Sequence, residues 1–247
     1  MDLGLNGKSV LITGGSKGIG LACAKAFAEE GCEVHIAARD PARLDKAKAA
    51  IGGRAVAHSV DLRDAGALRS LAATCAEVDV LVNNAGDIPG GTLESVDEER
   101  WRHAWELKVF AYINLCRLIY ARMKARRSGV IVNVIGMAAE HPSFEYICGS
   151  TGNAGLAAFT KALGKGMAEH GVRVLGVNPP STRTDRILTV MKGAAKAKFG
   201  DENRWKELDG SGPFAGLIEP EQVGDMVVFL ASTRCAQLSG MVVNLGA

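Results

Sequence analysis

The stretch from Lys8 to Gly31, KSVLITGGSKGIGLACAKAFAEEG, constrains the fold of this chain more than any other. Val10, Leu11 and Ile12 make a short apolar run, Gly14, Gly15, Gly18 and Gly20 follow, and Leu21 to Glu30 carries a helical pattern. The order is therefore strand, glycine turn, helix. Such a turn cradles a phosphate: glycines let backbone N–H groups approach an anion, and the helix adds unpaired donors and its positive dipole end. A glycine turn alone can also serve tight packing, but strand, loop and helix in this order favour the cradle.

Beyond it the chain alternates. Strands are predicted at Glu33 to Ala38, Arg54 to Val60, Val78 to Asn83, Val130 to Ile135, Val172 to Asn178 and Met241 to Leu245. Helices are predicted between them at Pro41 to Ile51, Asp64 to Ala76, Asp97 to Arg126, Gly149 to His170 and Glu221 to Ala231. Seven strands joined by helical crossovers predict an α/β fold, a Rossmann-type three-layer sandwich whose seven-stranded parallel sheet is doubly wound with helices on both faces. One domain spanning 1–247 is expected, and 185–218 breaks the alternation as a long excursion carrying Met191, Phe199, Trp205 and Phe214. Long loops at the carboxyl ends of strands usually cover a ligand. Lys192, Lys196 and Lys198 there suit a solvated basic helix face better than an acid or acyl thioester substrate.

Composition narrows the class. A chain of 247 residues, 47% hydrophobic, can bury a large core, and a net charge of +2 argues against a general nucleic-acid surface. No apolar run approaches membrane-spanning length and the first residues do not read as a leader, so a cytoplasmic protein is expected. The scattered cysteines, without a CxxC pair or metal-ligand spacing, are expected to be reduced thiols with no metal.

Further signals converge. Thr13-Gly14-Gly15-Ser16-Lys17-Gly18-Ile19-Gly20, Asp61-Leu62, Asn83-Asn84-Ala85-Gly86 and Asn178-Pro179 occur at spacings that resemble the classical short-chain dehydrogenases/reductases. The resemblance covers essentially the whole chain. It implies a dinucleotide held by Gly14, Ser16, Lys17, Gly18, Ile19 and Gly20 at the phosphates, by Asp61 and Leu62 at the adenine, and by Asn83, Ala85 and Gly86 at the ribose. Pro179 and Thr184 would stand at the nicotinamide end, where Pro180 replaces a usual glycine, fixes φ and removes an N–H.

The pattern departs where chemistry should begin. Such proteins work with a Ser, a Tyr-x-x-x-Lys pair and an Asn, and the gapless registration puts Gly136, Gly149, Asn153 and Lys108 at the serine, tyrosine, lysine and asparagine. Lys108 and Asn153 thus look exchanged between two facing helices, Asn153 remaining a cofactor candidate. The sequence leaves Lys108 either facing the site or pointing to solvent. Tyr146, the only nearby phenol, is either a replacement acid or a packing residue.

Ala38 stands where NAD-specific members carry an acid, and Arg39 with Lys17 suits a 2′-phosphate, so NADP(H) is expected over NAD(H); a solvated Arg39 beside Asp40 is the other reading. The resemblance also implies a homotetramer or homodimer built on the two long helices. Trp101, Trp105, Val109 and Tyr112 would serve that interface or the core equally well. The expected function is an oxidoreductase on a small carbonyl or alcohol through an altered site. A catalytically silent dinucleotide-binding protein, a sensor or partner subunit, is the main alternative, and a lyase or hydratase without net redox a third.

Overall fold

The computed structural model describes residues 1–208 and 216–246. In chain order the elements are β1 (Ser9–Thr13), α1 (Gly18–Glu29), β2 (Glu33–Ala38), α2 (Pro41–Ile51), β3 (Ala55–Ser59), α3 (Ala65–Thr74) and β4 (Val80–Asn83). Then come α4 (Glu98–Trp105), α5 (Ala111–Arg126), β5 (Gly129–Val134), α6 (Ile147–Met167), β6 (Val172–Asn178), α7 (Asp185–Phe199), α8 (Pro220–Ala231) and β7 (Met241–Asn244). The strands form one sheet in the order β3-β2-β1-β4-β5-β6-β7, every pair parallel. The fold is the Rossmann-type α/β sandwich expected.

Side chains alternate across each strand, so one sequence feeds two cores. Val10 and Ile12 of β1 join Phe27, Val34, Ile36, Val223 and Val227 beneath α1 and α8. Leu11, between them, joins Leu81, Leu115, Ile119, Ile131 and Val174 beneath α3 and α5. Covering both faces is why the strands read as continuous apolar runs. The Trp101 to Tyr112 stripe divides: Tyr112 and Val109 are buried against α6 with Leu156, whereas Trp101 and Trp105 pack beside Ile88 and Val96. No helix among the described residues is long and apolar enough to cross a membrane.

Polar groups align the strand ends that face the cleft. The Thr13 hydroxyl accepts the N–H groups of Asn84 (2.9 Å) and Ala85 (3.1 Å), and the Asn84 amide donates to Thr13 O at 3.0 Å. Deeper in the sheet, Asn83 Nδ2 donates to Asn133 Oδ1 and Asn133 Nδ2 to Thr160 Oγ1, each at 2.9 Å, tying β4, β5 and α6 together.

Two local structures differ from expectation. The helix predicted from Asp97 to Arg126 contains a π-helical turn, Glu106–Phe110, between α4 and α5. The excursion after β6 is helical: α7 is capped by the Thr184 hydroxyl, which accepts the Ile187 N–H, and stops at left-handed Gly200 (φ 74°) before a 3-10 segment, Glu202–Leu208. Met191 is buried there, Lys192, Lys196 and Lys198 are exposed, and Phe214 lies outside the described residues.

Candidate active site

The sheet order reverses beside β1, and a cleft of about 910 Å³ opens there at the carboxyl ends of the strands. Its floor is the glycine turn. Gly14 has φ 68°, and a Cβ there would come within 3.0 Å of Ala85 Cα; one on Gly20 would overlap the Gly14 carbonyl. The turn must therefore be bare backbone. Lys17 precedes α1 without a side-chain cap, which leaves the first N–H groups of the helix to another acceptor. Ser16, Gly18 and Ile19 line the cleft beside them.

The end of β2 forms one wall. Arg39 beyond β2 and Arg43 of α2 line the cleft with Ala38 and Leu62, as do Lys17 of the glycine turn and Lys25 of α1, and Asp40 pairs with Arg43 at 3.2 Å. Arg43 has no signal in the sequence pattern; α2 brings it to the same cleft as Arg39. Asp61 is tied to Arg63, whose Nε donates to it at 3.0 Å, and the guanidinium holds its carboxyl below the usual range. Asn83 is enclosed in the sheet by the relay to Asn133, so its amide does not reach the cleft wall, whereas Ala85 and Gly86 do.

The other end of the cleft gathers the candidate catalytic residues. Lys108 sits in the π turn and is buried, not solvated: its Nζ donates to Val134 O at 2.8 Å and to the Tyr112 hydroxyl at 3.1 Å. The extra residue of the π turn aims the stem inward, against Gly86, whose missing Cβ would lie 2.9 Å from Lys108 Cδ. Burial lowers the Lys108 ammonium to about 7, and the Arg186 guanidinium pushes the same way.

Tyr146, at the start of α6, places its ring over Gly149: a Cβ on Gly149 would overlap the ring carbons. A parallel bridge to Gly91 holds its backbone. Burial raises the phenol above its ordinary value against the opposing charge of Arg186, so it holds its proton at neutral pH. Gly136 has φ 135°, and a Cβ there would come within 2.9 Å of Asn153 Nδ2; the asparagine amide thus abuts the place of a residue-136 side chain. Asn153 Oδ1 is buried with no hydrogen-bond partner.

Pro179 O accepts the Met137 N–H at 3.0 Å, and Pro180 O accepts the Thr182 hydroxyl at 3.0 Å as the chain turns towards α7. Thr184 rests against the glycine turn, 3.0 Å from where a Gly18 Cβ would be. Arg186, in the first turn of α7, reaches back to donate to Gly86 O at 3.2 Å and to Ile88 O. The sequence marks 185–218 as a segment that covers a ligand, but nothing in local spacing singles out Arg186 within it as the residue that reaches the site. The arrangement offers a protonated phenol, a buried amine able to change charge near neutrality, a guanidinium, and an unpaired amide oxygen at the end of a cationic, backbone-lined groove.

Comparison with known proteins gives a consistent picture. The family model for short chain dehydrogenases matches residues 8–193. The chain is 31% identical over 245 residues to a 2,3-dihydro-2,3-dihydroxybenzoate dehydrogenase of Bacillus subtilis (strain 168), covering 96% of this chain and 93% of that one. It is 28% identical to a 7alpha-hydroxysteroid dehydrogenase of Escherichia coli (strain K12), covering 99% and 94%. Among solved structures, the L-sorbose reductase of Gluconobacter frateurii in complex with NADPH and L-sorbose superposes with a TM-score of 0.91 at 30% identity, over 99% of this chain and 97% of that one. An actinorhodin polyketide ketoreductase with NADPH gives 0.92 at 26% identity, over 97% and 95%.

Proposed function

The chain belongs to the short-chain dehydrogenase family, and on that premise we propose that it is an NADP(H)-dependent oxidoreductase interconverting a small carbonyl compound and its alcohol, with Tyr146 as the proton donor. The observation that carries the reading is the Tyr146 ring over Gly149. The registration puts Gly149 at the family's tyrosine, and the phenol three residues earlier occupies the space a side chain there would need.

The residues fit the cofactor. Backbone N–H groups after Gly14 would hold a pyrophosphate, and the unpartnered Asn153 Oδ1 suits a ribose hydroxyl. The cations lining the cleft, Lys17 and Arg39 beside the end of β2 with Arg43 and Lys25, favour a 2′-phosphate. When bound, the reduced nicotinamide supplies the hydride. Tyr146 then gives its proton to the carbonyl oxygen, and the raised affinity of the buried phenol keeps that proton in place beforehand. Arg186 puts positive charge beside the Tyr146 phenol, and Lys108, buried close by, adds to it while it is protonated, inside a site where such charge acts strongly. Gly136 contributes no side chain to orient substrate, which is the observation favouring a catalytically silent binder.

NADPH consumption across a panel of small carbonyls, compared with Tyr146→Phe, tests the proposal. Carbonyl-dependent oxidation that falls with the phenol supports it; tight NADPH binding with no turnover of any carbonyl supports the silent binder. The buried, unpaired cysteines support the expected cytoplasmic setting.

A further inference from the structure

The strongest unassigned cluster lies outside the cleft, on the α3 side of the sheet. His35 of β2 and His58 of the edge strand β3 point to the same face, because Ala37 is the register partner of His58 and His35 stands two residues before it. Cys75, which ends α3, closes over them. His35 Nδ1 and His58 Nε2 are 3.0 Å apart, and Cys75 Sγ stands 3.8 Å and 3.7 Å from them. Three donor atoms of metal-binding type therefore lie within 4.8 Å of one another.

We propose that His35 Nδ1, His58 Nε2 and Cys75 Sγ bind one zinc-type transition-metal ion. Bonds of about 2.05 Å to nitrogen and 2.3 Å to sulfur in a tetrahedron require donor separations of roughly 3.3 Å between nitrogens and 3.5 Å between nitrogen and sulfur. The observed distances match these to within a few tenths of an ångström, but the two rings lie edge to edge, with centroids 5.3 Å apart and planes 14° from parallel, so each must swing by roughly 35° out of its hydrogen bond to aim its nitrogen at a shared ion.

A second observation is independent of the donors. The outer nitrogen of His35, Nε2, lies 3.1 Å from Glu33 Oε1. A carboxylate behind a ligating imidazole fixes the ring and its tautomer and raises its basicity, the arrangement seen behind most metal-bound histidines. The thiol and imidazole set suits zinc or cobalt(II) rather than magnesium or calcium.

On binding, Cys75 Sγ exchanges its proton, released to solvent, for a bond to the ion; both imidazoles bind as neutral rings, and a water fills the fourth position. The ion would join β2, the edge strand β3 and the end of α3. Sequence spacing offered no hint, since the ligands come from three elements far apart along the chain.

Cobalt(II) titration of the full-length, tag-free, chelator-treated protein tests the site, followed by zinc competition. The expected result is one equivalent bound with micromolar or tighter affinity, a near-ultraviolet sulfur-to-cobalt band, and displacement by zinc. A hundred-fold excess of zinc over its dissociation constant should raise Tm by roughly 5–10 °C. Cys75→Ser should abolish the band, and Glu33→Gln, which keeps all three ligands, should weaken binding about 10- to 100-fold. Should Cys75→Ser fail to fold, His58→Gln at the sheet edge carries the same test. Absence of binding at micromolar concentration, or binding unchanged in these variants, would show that the two histidines are only a hydrogen-bonded pair beside a thiol.

Discussion

The ring of Tyr146 and the missing side chain of Gly149 are complementary: one fills the volume the other vacates. The phenol's position and the glycine's bareness are therefore one feature. Tyr146→Phe should lower kcat about 10²- to 10⁴-fold with the NADPH dissociation constant unchanged, as expected for loss of one placed proton donor. Gly149→Ala alone should also impair turnover and cost about 1–3 kcal/mol of stability, because the methyl displaces the ring. Tyr146→Gly combined with Gly149→Tyr returns a phenol to the same volume and should recover part of the activity. Full activity in Tyr146→Phe would sink the assignment.

Lys108 should make stability depend on pH in a specific direction. Its folded value of about 7 lies below the ordinary 10.5. Below pH 7 both folded and unfolded chains carry the ammonium, so the cost of burying the charge is fully present. Between 7 and 10.5 the folded protein has shed the proton and the unfolded chain has not, and the cost is relieved as pH rises. Lys108→Met, which keeps the stem and removes the charge, should gain most over the unmodified protein at pH 6 to 7, with the gap closing towards pH 10. Paired thermal melts read this out; a gap that stays constant from pH 6 to 10 would mean that Lys108 stays charged where it lies.

The cationic wall should set cofactor choice. Charge-assisted hydrogen bonds to a 2′-phosphate contribute roughly 1.5–3 kcal/mol each. Arg39→Ala should therefore weaken NADPH about 10- to 100-fold and leave NADH nearly unchanged, and Arg43→Ala should do the same. Fluorescence titration of both reduced cofactors decides it. Equal affinities in the unmodified protein, unmoved by either substitution, would count against the preference.

Oligomerisation is expected through the outer faces of the long helices. Tyr120 on α5 and Phe159, Leu163 and Met167 on α6 line a shallow apolar groove there. Light scattering at micromolar concentration should give a homotetramer, or a homodimer, that dissociates in Leu163→Asp without loss of the fold. A monomer at that concentration would reject the expectation.

Much of the frame was legible because regular elements write their own periods. β2, β6 and α2 begin and end where the apolar runs, proline and glycine mark them. The groove floor was legible for the same reason, since only glycine tolerates the approach at Gly14 and Gly20. Side-chain direction was harder. Asp61 was expected at the adenine and Asn83 at the ribose, yet the carboxylate turns to Arg63, two residues on, and the amide to Asn133, fifty residues away. Lys108 could not be assigned because a π turn has no residue signature, although Tyr112, four residues on, was the partner helical spacing would have offered. Arg186 and the His35, His58 and Cys75 cluster become visible only when separate elements are packed together.

The π turn at Glu106–Phe110 also fixes a phase relation along the helix that contains it. Each residue of an α-helix advances about 100° around the axis. Removing one residue from this turn would rotate Trp101 and Trp105 by about that angle relative to Tyr112 and Ile119, carrying the two tryptophans off Val96 and Ile88. The segment can exchange side chains one at a time, but it can lose or gain length only if both of its ends are rebuilt together.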